Sequence, residues 1–480
     1  MTTFGLLIDG AETEAADGRR FTSHDPATGA VTGEFARAGA ADVNAAVTAA
    51  GRAYERTWRH TSATERGRLL QDVARRIQDA AGRLAVEEAR DCGKALSQTR
   101  YDVGLAARYF EFFGGAAAAL HGEQLPLGRD VIDFTVREPH GVCGQINAWN
   151  FPLNMAARSL AAALAAGNTA VLKTPELAPY TTALLGRILT DAGVPAGVVN
   201  IVHGLGEEAG AALSGHPDVG LLTFTGSVGT GRTVAAAAAA TITPCVLELG
   251  GKSPTVVFPD ADLEEVAGRL ARGFVEAAGQ SCDLPSLAVV HSDVHEEFVH
   301  RLVAHVRKFT VGPGVEDPDL GPLISARQRE RVEGHIAGAV REGATVAVGG
   351  GRPRDPRLGD GWYVEPTVLT GVTPDMAVAT EEIFGPVLSV VPFGTEEEAV
   401  AIANGTGYGL AAFVWTRDLG RGIRMTKEIL AGQVYVNCFG SGDPVMTPFG
   451  GFNKSGYGRE KGFEALRTYT RVKNVCISTH

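Results

Sequence analysis

Cysteine is scarce in this chain, and what there is stands apart. Its 480 residues hold Cys92, Cys143, Cys245, Cys282, Cys438 and Cys476. No two are close in sequence, so neither a zinc-ligand spacing nor a redox pair appears, and a disulfide framework is not expected. No basic block offsets the formal charge of -11, from 44 basic and 55 acidic residues, which argues against a nucleic-acid binder. Long apolar runs are also missing. The window 161–172 is short and is broken by Gly167 and Asn168, so no bilayer-spanning segment is expected. The start, Met1-Thr2-Thr3-Phe4-Gly5, lacks a basic region followed by an apolar stretch, and no secretory signal is read there. No repeat of fixed period occurs. These absences leave a cytoplasmic enzyme as the default, with no metal site and no membrane or nucleic-acid partner.

What remains is an ordinary globular composition, 45% hydrophobic and 21% charged, over a length that predicts two or three domains. Short β-branched runs alternate with longer Ala-rich stretches, the signature of parallel sheets covered by helices. Strands are predicted at 169–173, 198–202 and 221–225, with helices at 178–193 and 207–214 between them. That β-α-β-α-β unit is the ground plan of a dinucleotide-binding sheet. A second such region follows Gly251, with a strand at 254–258. A helix then starts at Asp262, with Glu265 three residues on. Leu263, Val266, Leu270 and Phe274 give that helix one apolar face. It is expected to run toward Gly279, with its C-terminal end at Cys282, so its dipole cannot activate the thiol. Later strands are expected at 386–391 and 433–437. Residues 131–137 and the tail 466–478 both alternate apolar and polar residues. They read either as two surface strands or as one small projecting sheet whose edges invite subunit pairing.

Two stretches carry chemistry. Gly279-Gln280-Ser281-Cys282 offers a thiol on a turn, and Leu247-Glu248-Leu249-Gly250-Gly251-Lys252 offers a carboxylate beside paired glycines. A thiol nucleophile and a carboxylate base are the parts needed to make and hydrolyse a thioester. Gly226-Ser227-Val228-Gly229-Thr230-Gly231 follows the strand ending at Thr225 and departs from the standard glycine fingerprint. Its small residues would still let backbone approach a pyrophosphate at a helix N-terminus.

These stretches occur in order with Asn147-Ala148-Trp149-Asn150-Phe151-Pro152, Lys173-Thr174-Pro175-Glu176, Phe224-Thr225-Gly226-Ser227, Glu382-Ile383-Phe384-Gly385-Pro386 and Pro448-Phe449-Gly450-Gly451-Phe452-Asn453-Lys454-Ser455-Gly456. Together they resemble the aldehyde dehydrogenase superfamily over essentially the whole length. The resemblance implies an α/β fold in three parts. A Rossmann-like dinucleotide-binding domain would take 1–120 and 140–250. A catalytic domain would take 251–450, and a small β oligomerisation element 121–139 and 464–480. A homodimer or homotetramer is implied.

It also implies roles. Cys282 would attack an aldehyde carbon. Asn150 and the Cys282 backbone N–H would stabilise the oxyanion, and Glu248 would activate the water that hydrolyses the thioester. NAD, with NADP as the alternative, would meet Trp149, Lys173, Glu176, Gly226, Ser227, Gly231, Glu382 and Phe384, with Ser227 on a phosphate. Glu176 favours NAD, because a carboxylate repels a 2′-phosphate, although Lys173 offsets some of that repulsion. A substrate tunnel would draw on Phe151, Met155, Arg158, Glu276, Ser281, Asp283, Asp443 and Phe449.

Four positions depart from the family pattern. Asp283 directly follows the thiol, Arg158 stands where an aromatic residue is frequent, Ser159 replaces a frequent lysine, and Glu276 occupies an often apolar position. Arg158 would read an acidic or polar aldehyde, or pair with Glu276 and specify nothing. Asp443 would attract a cationic aminoaldehyde or cap a turn. Two alternatives stay open beside hydrolytic oxidation: acyl transfer to coenzyme A, which Glu248 disfavours, and a silenced nucleotide-binding member of the fold.

Overall fold

The computed structural model describes residues 2–440 and 442–479. Its first large sheet has eight strands in the order Gly456–Tyr457, Cys245–Glu248, Leu221–Thr225, Val142–Ile146, Thr169–Lys173, Val199–Val202, Leu6–Ile8 and Ala11–Thr13. The five strands from Cys245–Glu248 to Val199–Val202 pair in parallel. Thr169–Lys173 and Leu221–Thr225 are buried along their whole length, which is why each reads as an unbroken run in sequence. Strand order reverses at Val142–Ile146: the next two parallel strands in sequence, Thr169–Lys173 and Val199–Val202, lie on one side of it, and the two after them, Leu221–Thr225 and Cys245–Glu248, lie on the other. A crevice opens there at the carboxyl ends of the strands.

The second large sheet has seven strands, ordered Thr345–Val348, Thr367–Thr370, Val387–Phe393, Pro285–His291, Ser253–Val257, Ala411–Trp415 and Gln433–Val436. All pair in parallel except Thr345–Val348. The chain passes from one sheet to the other through Leu249-Gly250-Gly251-Lys252. The carboxyl edge of the first sheet therefore faces the amino ends of strands in the second. The fold is mixed α/β, as the alternation predicts.

The helix Pro152–Ala165 packs in the core of the first sheet, and every residue of it is buried. Proline at its first position needs no N–H partner, and the alanine-rich remainder packs tightly on all sides. This helix carries Asn154, Arg158 and Ser159 into the interior, where each must find a polar partner.

Two expectations need correction. The helix begun by Asp262 is capped as read, with the Asp262 carboxylate accepting the Glu265 N–H at 3.1 Å, but it stops at Val275. Ala277, Ala278 and Gly279 all take left-handed backbone, which a right-handed helix cannot accommodate. The tail does not enter its strand at Leu466 either. Gly462–Thr468 is helical with Leu466 buried, and Thr470–Ser478 is the strand. It pairs antiparallel with Val131–Pro139 in a three-stranded sheet with Gln124–Leu125. Ile132, Val472 and Ile477 are exposed on that sheet in the single chain. Among the described residues no helix is long and apolar enough to cross a membrane.

Candidate active site

The carboxyl ends of three adjacent parallel strands converge on one cavity. Val142–Ile146 delivers Trp149 and Asn150, Leu221–Thr225 delivers Gly226 and Ser227, and Cys245–Glu248 ends on Glu248 itself. Glu382 and Phe384 close the cavity from the second sheet. A second cavity, of about 240 Å³, is lined by Phe151, Met155, Arg158, Glu276, Ser281, Asp283 and Phe449, with Tyr101, Asp102, Tyr435 and Lys461. Among the described residues only Cys282 and Met155 line both. The thiol thus stands in the partition between a crevice at the sheet's switch point and a pocket below the size of drug-sized sites.

The left-handed turn at 277–279 is what brings the thiol there. Gln280 braces it: its Nε2 donates to the Ala277 carbonyl at 2.9 Å, and its Oε1 accepts the Ile324 N–H at 2.9 Å. Its own carbonyl accepts Asn150 Nδ2 at 2.8 Å, which fixes that amide beside the thiol loop. One N–H of the Asn150 amide is used in this way, and the second has no partner among the described residues. Burial pushes the Cys282 thiol well above its ordinary range, and Asp283, Glu248 and Glu382 push it further, while Arg158 opposes them. Asp283 itself accepts a hydrogen bond from Ser281 Oγ at 2.7 Å.

Glu248 is 2% exposed, and neither of its carboxylate oxygens has a hydrogen-bond partner among the described residues. Burial raises its pKa, and Glu460 adds to this; Arg158, Lys461 and Arg459 pull the other way. An unpaired buried carboxyl of this kind is pushed toward its neutral form and is poised to exchange a proton with a small partner.

On the crevice side, Glu382 accepts the Gly251 N–H at 3.1 Å, and burial raises its pKa to about 7. Gly250 and Gly251 are required by close approach. A Cβ at Gly250 would collide with the Glu382 carboxylate, and one at Gly251 with the Cys282 carbonyl oxygen. Phe384 meets Trp149 edge-on, with ring centroids 5.3 Å apart, and its carbonyl accepts Gln328 Nε2 at 2.7 Å. Ser227 caps the helix Val228–Ala240, accepting the Thr230 N–H at 3.2 Å.

Three sequence-derived positions lie off this cavity. Lys173 and Glu176 form an ion pair of 2.6 Å at the end of the neighbouring strand Thr169–Lys173. Gly231 sits one turn into its helix beneath Leu249, where a Cβ would strike that side chain.

One reading of the substrate side is overturned and another is narrowed. Arg158 does not pair with Glu276. It forms a buried ion pair with Glu460, its guanidinium 5.6 Å from the centre of the Phe449 ring. Glu276 instead faces Asp283 and Asp102, and burial, then those two charges, raises its pKa to about 7. Of the two readings of Asp443, the structure favours the turn cap over a free charge at a tunnel mouth. Asp443 pairs with Arg108 at 2.6 Å and accepts the Val445 N–H at 3.2 Å, while its neighbours Gly440 and Pro444 line the cavity. Sequence reasoning missed Gln280, Glu460 and Lys461. Gln280 stood inside the quoted thiol motif, and the other two adjoin Arg459 with no spacing signal of their own.

The family model for the aldehyde dehydrogenase family matches residues 13–475. The chain belongs to the aldehyde dehydrogenase family. A candidate aldehyde dehydrogenase from Burkholderia cenocepacia is 44% identical, with a TM-score of 0.97 over 99% of this chain and 100% of that one. PnpE from Pseudomonas sp. WBC-3 is 40% identical, also at 0.97, over 100% of this chain and 98% of its own. An aldehyde dehydrogenase from Bacillus cereus, solved as its NAD+ complex, is 38% identical at 0.97, covering 100% and 97%. As an aldehyde dehydrogenase family member, the chain is an oxidoreductase acting on aldehydes.

Proposed function

We propose that the enzyme oxidises an aldehyde to its carboxylic acid with NAD as hydride acceptor, through a thioester on Cys282. The observation that supports this best is the placement of Cys282 in the partition between two cavities, with Asn150 and the unpaired Glu248 beside it. The crevice fits a dinucleotide. It lies at the switch point of a parallel sheet, a thirteen-residue helix opens onto it behind Ser227, and Trp149 and Phe384 form an apolar wall. Glu382 would hold the nicotinamide ribose, Phe384 would pack near the nicotinamide, and Lys173 with Glu176 would meet the adenosine ribose. When bound there, NAD supplies the hydride acceptor.

The chain's own residues do the rest. Cys282 gives its proton to solvent water and its sulfur bonds to the carbonyl carbon as the carbonyl π electrons move to oxygen, giving a thiohemiacetal whose oxygen carries negative charge. The remaining Asn150 N–H and the Cys282 N–H stabilise that charge, each such donor contributing about 3 kcal/mol in comparable sites. After oxidation to the thioester, Glu248 takes a proton from water, the water oxygen bonds to the acyl carbon, and the carbon–sulfur bond breaks to release the acid. Glu248 needs no partner in the resting enzyme because its partner is that water. The division into nucleotide-binding, catalytic and oligomerisation parts belongs to this proposal. So does a homodimer or homotetramer joined through the sheet that leaves Ile132, Val472 and Ile477 exposed.

Aldehyde-dependent NADH formation tests the reading. Cys282→Ala should abolish it. Glu248→Gln should give one equivalent of NADH per site in a burst and then a steady rate lower by roughly a hundredfold or more. Equal activity of wild type and Cys282→Ala would refute the nucleophile. Product dependent on added coenzyme A would replace hydrolysis with acyl transfer.

A further inference from the structure

We infer that Lys461 selects aldehydes that carry a carboxylate, by receiving that anionic group on the wall of the substrate cavity; this rests on the dehydrogenase reading above. The charged groups around the cavity are mostly committed. Arg158 is neutralised by Glu460, and Asp102 by Lys94. Asp283 is engaged by Ser281 Oγ. Lys461 is the exception, with no carboxylate or carbonyl partner among the described residues. Its one directed contact is with the Phe449 ring, whose centre lies 4.2 Å from Nζ. A ring face satisfies one side of an ammonium and leaves donors free, and here they open onto the cavity.

The backbone holds this side chain in place. Lys461 has φ 65°, a left-handed conformation that non-glycine residues adopt only under constraint. Its neighbours supply the constraint. Glu460 exchanges hydrogen bonds with Phe449, at 2.6 Å and 2.7 Å, and the Gly462 N–H donates to the Val445 carbonyl at 2.8 Å. The lysine therefore projects from a clamped strand-like crossing, not from a free loop. Burial, and then the charge of Arg158, push Lys461 toward its neutral form, while Asp283, Cys282 and Glu248 act the other way without bonding to it. A carboxylate bound beside it would reverse that.

The competing ligand is an ammonium at Glu276 and Asp283. Glu276 is the weaker candidate for holding charge, since near neutral pH its carboxyl is partly protonated and can donate to a bound carboxylate. Among the described residues of the cavity wall, Lys461 is the cation not already paired with a carboxylate, and it is the group that would meet an anionic substrate.

The test compares three series of matched chain length with NAD+: ω-oxo carboxylates, n-alkanals and ω-aminoalkanals. Wild type should favour the oxo acid over the alkanal by about tenfold or more in kcat/KM, the range of one charge-assisted hydrogen bond. Lys461→Met should collapse that ratio, chiefly through KM for the oxo acid, and Lys461→Arg should restore much of it. The alkanal supplies the folding control within each variant. Preference for the aminoalkanal, or loss of both series by one common factor in Lys461→Met, would overturn the assignment. Turnover of alkanals without oxo-acid preference would sink Lys461 alone, whereas no turnover in any series would sink the dehydrogenase reading beneath it.

Discussion

Arg158→Met removes half of a charge pair that water does not reach. The two side chains are 6% and 5% exposed, so screening by solvent or salt is weak. Methionine replaces much of the arginine's bulk beside Phe449 but leaves Glu460 buried without a counter-charge, next to Glu248. Breaking a buried pair on one side costs about 3–5 kcal/mol. The unfolding entropy is about 2.1 cal/mol/K per residue, or roughly 1 kcal/mol/K for a chain of this length. The melting temperature should then drop by about 3–5 °C if the chain melts as one unit, and by about twice that if only the half holding Pro152–Ala165 melts. Scanning calorimetry or fluorescence at one fixed scan rate reads this out. The double variant Arg158→Met/Glu460→Gln should recover most of the loss, because an apolar–neutral pair leaves no buried charge.

Activity should respond in a defined direction. Arg158 is a cation that lowers the pKa of both Cys282 and Glu248. Without it, fewer molecules carry the thiolate and the carboxylate at neutral pH, so kcat/KM should fall there and recover as pH rises. A single variant within about 1 °C of wild type, together with a double variant no more stable than the single, would show that the pair is not buried as the distances imply.

Gly251→Ala drives a methyl into the Cys282 carbonyl oxygen, a backbone atom that cannot swing aside, so kcat should fall about a hundredfold from displacement of the thiol loop. Gly250→Ala meets only the end of the Glu382 side chain and should raise the NAD KM more than it lowers kcat; the reverse ranking in steady-state kinetics would contradict the packing. His203 is 2% exposed, bonded to Thr174 Oγ1 at 3.0 Å, and burial lowers its pKa to about 3. Below about pH 6.5 the unfolded chain binds a proton that the native state refuses. Stability from this group should therefore fall by about 1.4 kcal/mol per pH unit as pH drops toward 3. Urea midpoints at two pH values should show that slope flattened in His203→Gln, and an unchanged slope would exclude the residue.

The legible parts of the fold were those where one physical demand dominated. Thr169–Lys173 and Leu221–Thr225 are buried on both faces, so every residue in them except the terminal Lys173 is apolar or small, and the runs stand out at their true ends. The end of Leu263–Val275 was not legible, because Ala277 and Ala278 are strong helix formers held in left-handed backbone. What overrides their propensity is tertiary. Gly279 packs so closely on the Gly385 backbone that a Cβ would not fit, and Gln280 ties the turn to Ile324. Neither contact leaves a trace in local sequence.

The site divides along the same line. Residues at strand ends can be placed by motif, because a strand fixes where its last side chain points. Partnerships across the chain cannot. Arg158 looked available to Glu276 or to a substrate, and Glu460 was invisible until the fold set it against the buried helix. The junction between the sheets explains why these unreadable contacts matter. Glu248 is fixed by the first sheet, and Cys282 by the strand Pro285–His291 of the second. Their relative position depends on four residues of linker and on the contacts that cross it: Asn150 to Gln280, and Glu382 to Gly251. A change that loosens either contact should separate the thiol from its carboxylate without melting either sheet, so activity should fail before stability does.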